Sequence, residues 1–73
     1  VHKVRNNEVM VLFGKNVRKI RIEQNKTQEQ LAEDAKISQV QIARIESGKL
    51  NTSISTVAAL ALALQVNEGD FFK

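Results

Sequence analysis

Seventy-three residues, 42% hydrophobic and 26% charged, suit one small globular domain, and the absence of cysteine removes disulfides, thiolate metal sites and thiol nucleophiles together. Proline is absent as well, no apolar run reaches the roughly 18 residues of a membrane span, and the basic N-terminal stretch is unlike a signal peptide, so a cytoplasmic, all-α domain is expected. The formal charge of +3 is unevenly placed: residues 1–27 carry a net of +5, residues 28–46 a net of −2 and residues 47–73 none, as suits a domain with one face turned to a polyanion.

Residues 1–6 show no periodicity and read as a flexible arm, leaving 7–73 as the folded domain. Val9, Phe13, Val17 and Ile20 then recur at spacings of four, four and three, the stripe of an α-helix. Asn7 is suited to cap its start. Gln24-Asn25 is suited to end it, because asparagine tolerates the left-handed conformation at a helix exit. Thr27 and Gln30 form a capping box for a short second helix that buries Leu31 and Ala35. After a tight turn at Lys36-Ile37, Ser38 caps a third helix with Ile42 and Ile45 inward, and Gly48 stops it. Ser53 caps a fourth helix whose inward stripe is Ile54, Val57, Leu60, Ala61 and Leu64. Asn67 caps a last short helix carrying Phe71 and Phe72. The expected architecture is five unequal helices around one core.

The middle of the chain carries the chemistry. Two helices this short, joined by about three residues, must cross steeply, which is the geometry of a helix-turn-helix. With Ile42 and Ile45 inward, the third helix turns Gln39, Val40, Ala43 and Arg44 outward, a short face free of acid. Glutamine pairs with adenine N6/N7, valine meets a thymine methyl and arginine grips guanine O6/N7, each bidentate contact discriminating by roughly 1–3 kcal/mol.

Arg21, the run Thr27-Gln28-Glu29-Gln30-Leu31-Ala32, then Ile37-Ser38, Ile42 and Ile45-Glu46-Ser47-Gly48-Lys49 carry a resemblance to a known family. From Phe13 to Phe72 the chain resembles the XRE family of helix-turn-helix DNA-binding domains, which includes lambdoid-phage repressors and Cro. The Asn51–Ile54 loop and the terminal phenylalanine pair are similar to those of restriction–modification controller proteins. The resemblance implies a repressor-like fold in which Ser38, Gln39, Val40 and Arg44 meet base edges in the major groove. It implies phosphate contacts from Arg18, Thr27, Gln28, Ser47 and Lys49, with Gln28 also bracing Gln39, and an ion pair between Arg21 and Glu46. Two positions depart from the family pattern. Lys36 stands where glycine is usual, at a cost on the order of 1 kcal/mol for a positive φ, and Lys26 stands where an apolar residue is usual, offering a further phosphate ligand.

No Ser/His/Asp set, metal-ligand cluster or glycine-rich phosphate loop is present, so neither catalysis nor a cofactor is expected, and His2 stands alone in the arm. The fourth helix is apolar nearly all round, which predicts burial on a second side. Ala58 and Leu62, with Phe71 or Phe72, are therefore expected to form a two-fold interface between copies. The expected function is a homodimeric, sequence-specific double-stranded DNA-binding regulator of transcription on a near-palindromic operator. The alternative is a protein-interaction module such as an antitoxin.

Overall fold

Each helix of the protein stops or starts on local chemistry that backbone geometry makes visible. The computed structural model describes residues 6–73 and contains α1 (Asn6–Glu23), α2 (Gln28–Ala35), α3 (Gln39–Glu46), α4 (Ile54–Leu64) and a C-terminal 3₁₀ turn, Glu68–Phe72. Residues 1–5 of the expected arm, His2 among them, lie outside the described residues, and Asn6 already belongs to α1. Asn7 consequently sits inside the first turn, where its Oδ1 accepts from the Glu8 amide at 3.0 Å.

The helix-turn-helix is framed by two reciprocal caps. Thr27 Oγ1 accepts from the Gln30 amide at 3.0 Å while the Gln30 side chain accepts from the Thr27 amide at 2.8 Å. Ser38 and Gln41 repeat the arrangement at the start of α3, with the Gln41 amide donating to Ser38 Oγ at 3.1 Å. Helix exits use left-handed residues: Asn25 and Lys36 each hold φ 59°, and Gly48 holds φ 75°. Gly48 closes α3 with the Lys49 amide donating back to the Arg44 carbonyl at 3.0 Å.

Phe13, Val17, Leu31, Ile42, Ile45, Leu60 and Leu64 form the centre of one core, and α3 is seated under α1. Gly14 makes that seating possible, because a Cβ there would overlap the Ile45 carbonyl oxygen. The C-terminal turn folds back on α1, where Phe71 meets Phe13 edge-on at 5.3 Å and Phe72 stacks on it at 5.6 Å. Asn16 Nδ2 donates to the Phe71 carbonyl at 2.8 Å and fixes this return.

Three expectations are corrected by long-range packing. Ile54 is not inward: it is 89% exposed, because α4 enters the core through its second half, at Leu60, Ala61 and Leu64. Phe71 is not available to a second copy: it is 0% exposed, enclosed by the α1 contact just described. Lys26 is not a free phosphate ligand. Its Nζ donates to Asp34 Oδ2 and to the Ala63 carbonyl, both at 3.0 Å, while Gln24 Nε2 donates to the Leu64 carbonyl at 2.7 Å. The two side chains satisfy carbonyls that the end of α4 leaves open, and the lysine also meets the negative end of its dipole.

Candidate nucleic-acid interface

The alternation of burial along α3 sets the face it presents. Ile42 and Ile45 are fully enclosed, so Gln39, Val40, Ala43 and Arg44 stand exposed on the opposite side, with Ser38 exposed at the cap. Val40 is 68% exposed and, with the Ala43 methyl, gives the face an apolar part between Gln39 and Arg44. The Ser38 hydroxyl accepts from the Gln41 amide, and the Gln41 side chain is turned back to the cap. Gln41 is thereby engaged in the cap of its own helix.

Behind that face lies one charged network. Arg21 Nε donates to Glu46 Oε2 at 2.7 Å and Nη2 to Oε1 at 2.9 Å, a bidentate pair whose side chains are only 11% and 3% exposed. Arg21 Nη1 also donates to the Lys26 carbonyl at 2.7 Å, so one guanidinium joins α1, the loop before α2 and the end of α3. Its hydrogen bonds to Glu46 raise the Arg21 pKa above its usual value, with burial opposing and the charge of Glu46 adding to the rise. Gln28 joins the same carboxylate, its Nε2 donating to Glu46 Oε1 at 3.1 Å. This replaces the expected brace between Gln28 and Gln39. Only the tertiary arrangement brings Gln28 and Glu46 together, 18 positions apart.

The phosphate candidates separate into two groups. Arg18, Gln28 and Ser47 line one hollow with Ala43 and Glu46 at the junction of α1, α2 and α3. Thr27 and Lys49 stand outside it and are exposed at the α2 cap and just beyond Gly48. The Thr27 hydroxyl accepts from the Gln30 amide, which leaves its own proton free to donate. Ser47 differs: its hydroxyl donates to the Arg44 carbonyl at 3.0 Å and must turn away from its own helix to meet a phosphate. A second hollow beside the first is lined by Lys15, Lys19 and Ile22 as well as Arg18 and Glu46, which extends the basic flank along α1. Lys15 has no signal in the sequence beyond its charge.

On a different side, Ala58 and Leu62 are exposed one turn apart on α4 and continue the row begun by Ile54. Ile54 and the 43%-exposed Phe72 border an apolar hollow with Val9, Met10, Phe13 and Val57. Among the described residues no group of His, Asp or Glu is placed to hold a metal ion, and no helix is long and apolar enough to cross a membrane.

The signature of the helix-turn-helix family spans residues 17–71. The control protein C.BamHI of Bacillus amyloliquefaciens is 35% identical over 65 residues, covering 88% of this chain and 80% of that protein. The restriction–modification controller protein C.AhdI of Aeromonas hydrophila superposes with a TM-score of 0.84 at 28% identity, covering 86% of this chain and 96% of its own. The clp gene regulator ClgR of C. glutamicum shares the fold, with a TM-score of 0.83 at 23% identity over 88% of this chain and 83% of its own. The chain belongs to the helix-turn-helix family and is a DNA-binding regulator of the XRE type.

Proposed function

We propose that the protein binds double-stranded DNA sequence-specifically in the cytoplasm, as a homodimer on a near-palindromic operator, and controls transcription of a restriction–modification system. The observation that carries the reading is the α3 face. Gln39, Val40 and Arg44 are exposed together on a helix whose isoleucines anchor it, beside a hollow lined by Arg18 and Gln28. Ser38 and these three residues read base edges, while Arg18, Thr27, Gln28, Lys49 and a reoriented Ser47 hold the backbone. The likeness to C.BamHI and C.AhdI supports the regulatory setting.

Ala58, Leu62 and Phe72 supply the contact between copies in this reading. Leu62 is 81% exposed, and with Ile54 and Ala58 it makes an apolar row on α4 that a second copy would cover. Two-fold pairing places the recognition helices about one DNA turn apart, roughly 34 Å. Binding-site selection from random duplexes tests the whole reading: it is expected to enrich a sequence with two-fold symmetry bound by two chains. Enrichment of an asymmetric half-site bound by one chain would overturn the dimer, and enrichment of nothing would overturn sequence-specific recognition.

A further inference from the structure

Glu46 is a paradox on a surface meant for DNA. It lines the hollow that Arg18, Gln28 and Ser47 share, and a carboxylate there repels phosphate. Arg21 removes most of that objection, because its bidentate grip at 2.7 and 2.9 Å neutralises the acid where it sits. What Glu46 retains is its capacity to accept. An ionised carboxylate cannot donate, so the Gln28 atom 3.1 Å from Oε1 has to be the amide nitrogen and not the amide oxygen. Nε2 carries two protons. One is taken by Glu46, and the other remains for a further acceptor beside the hollow that Gln28 lines.

We infer that Glu46 is a positioning residue for backbone recognition: it holds the Gln28 amide with one N–H committed to the carboxylate and the second presented to a phosphate seated between Arg18 and Ser47. Left to itself, a half-exposed glutamine at the start of a helix samples many rotamers and both amide orientations. Ordering it in advance removes that loss from the binding step. The Arg21–Glu46 pair thus does more than tie helices together, since it sets which end of a neighbouring amide faces the DNA. The inference rests on the assignment of this face to DNA.

The test separates positioning from folding and from charge. Arg21→Met with Glu46→Met removes the acceptor while leaving the net charge unchanged, and apolar replacement of a buried ion pair is commonly tolerated by the fold. Its probe is a short fluorescein-labelled duplex of mixed sequence at low salt, because backbone contacts do not depend on sequence. The paired variant is expected to melt cooperatively yet bind about three- to tenfold more weakly, the worth of one hydrogen bond. Gln28→Met should weaken binding equally in the parent and add nothing in the paired variant. The slope of affinity against salt should stay unchanged in both, because a neutral donor displaces no counterion, whereas Arg18→Ala lowers it by about 1.

Parental affinity in the paired variant, or a further loss on adding Gln28→Met, would overturn the inference. Should the paired variant fail to fold, Gln28→Asn decides alone. It keeps an amide but falls one methylene short of Glu46, so it should bind as weakly as Gln28→Met, and parental affinity would refute the positioning role. Failure of the unaltered chain to bind any duplex instead overturns the reading of the interface itself.

Discussion

Lys36 holds φ 59° and ψ 41° at the end of α2, a left-handed conformation in which a side chain crowds its own carbonyl. Its amide lies 3.3 Å from the Glu33 carbonyl, and the Ile37 amide donates to Ala32 at 3.1 Å, so the turn needs that backbone and not that side chain. Lys36→Gly should therefore stabilise the domain by about 1 kcal/mol. Thermal unfolding of the two forms measures it. Arg44 and Lys49 make a second pair of single-residue predictions. Arg44→Ala should relax preference at one base pair by about 1–3 kcal/mol, whereas Lys49→Ala should weaken all duplexes alike and lower the salt slope by about 1. Titration of a panel of single-base operator variants distinguishes the two, and identical behaviour would mean that reader and anchor are misassigned.

At the scale of the element, the helix-turn-helix is legible in the sequence because its boundaries are local. Thr27 with Gln30, Ser38 as a cap, Asn25 and Gly48 each act within a few positions, and the geometry follows from them. Where local pattern misleads, the deciding partner lies far along the chain. Lys26 is a spare cation by local pattern, but α4 brings the Ala63 carbonyl to it from 37 positions away. Phe71 and Phe72 are alike to a periodicity argument, and only the return onto Phe13 and Asn16 decides which of them is enclosed. The Gln28–Glu46 contact has no local signal for the same reason, since 18 positions separate the two residues. Ile54 fits the inward stripe by spacing, but α4 meets the core from Val57 onward, with Leu60, Ala61 and Leu64 enclosed.

The C-terminal turn yields a pH prediction. Asp70 Oδ1 lies 2.9 Å from Lys73 Nζ, and its other oxygen accepts from the Asn67 amide at 3.1 Å. The lysine first and the backbone amide second hold the Asp70 carboxyl below the usual carboxylate range. A folded-state pKa below the unfolded one means that the contribution is present above the ordinary carboxylate pKa and is lost as pH falls through the depressed value. Carboxyl-carbon NMR titration should show Asp70 protonating below the ordinary carboxylate value. The Asn67 and Phe71 amides should move with the same midpoint, and Asp70→Asn should abolish that response.

For the whole molecule, the two proposed surfaces are distinct: the row Ile54, Ala58 and Leu62 belongs to α4, and the reading face belongs to α3. Leu62→Asp changes a side chain that is 81% exposed, so the isolated domain should lose only about 1 kcal/mol, the helix-propensity and dipole cost of an aspartate in the last turn of α4. Assembly should suffer instead. Sedimentation equilibrium is expected to give a monomer for the variant and a dimer for the parent, with loss of affinity confined to duplexes carrying two half-sites.

Gln24 and Lys26, both from the loop between α1 and α2, grasp the last carbonyls of α4, and Gly14 lets α1 lie directly on α3. These ties join the surface proposed to meet another copy and the one proposed to meet the double helix through directly packed helices. A paired assembly of such units behaves as a fixed caliper. One base pair inserted at the centre of its target turns the far half-site by roughly 34° and carries it about 3.4 Å along the axis, so the nucleic acid, not the protein, must twist to restore the fit.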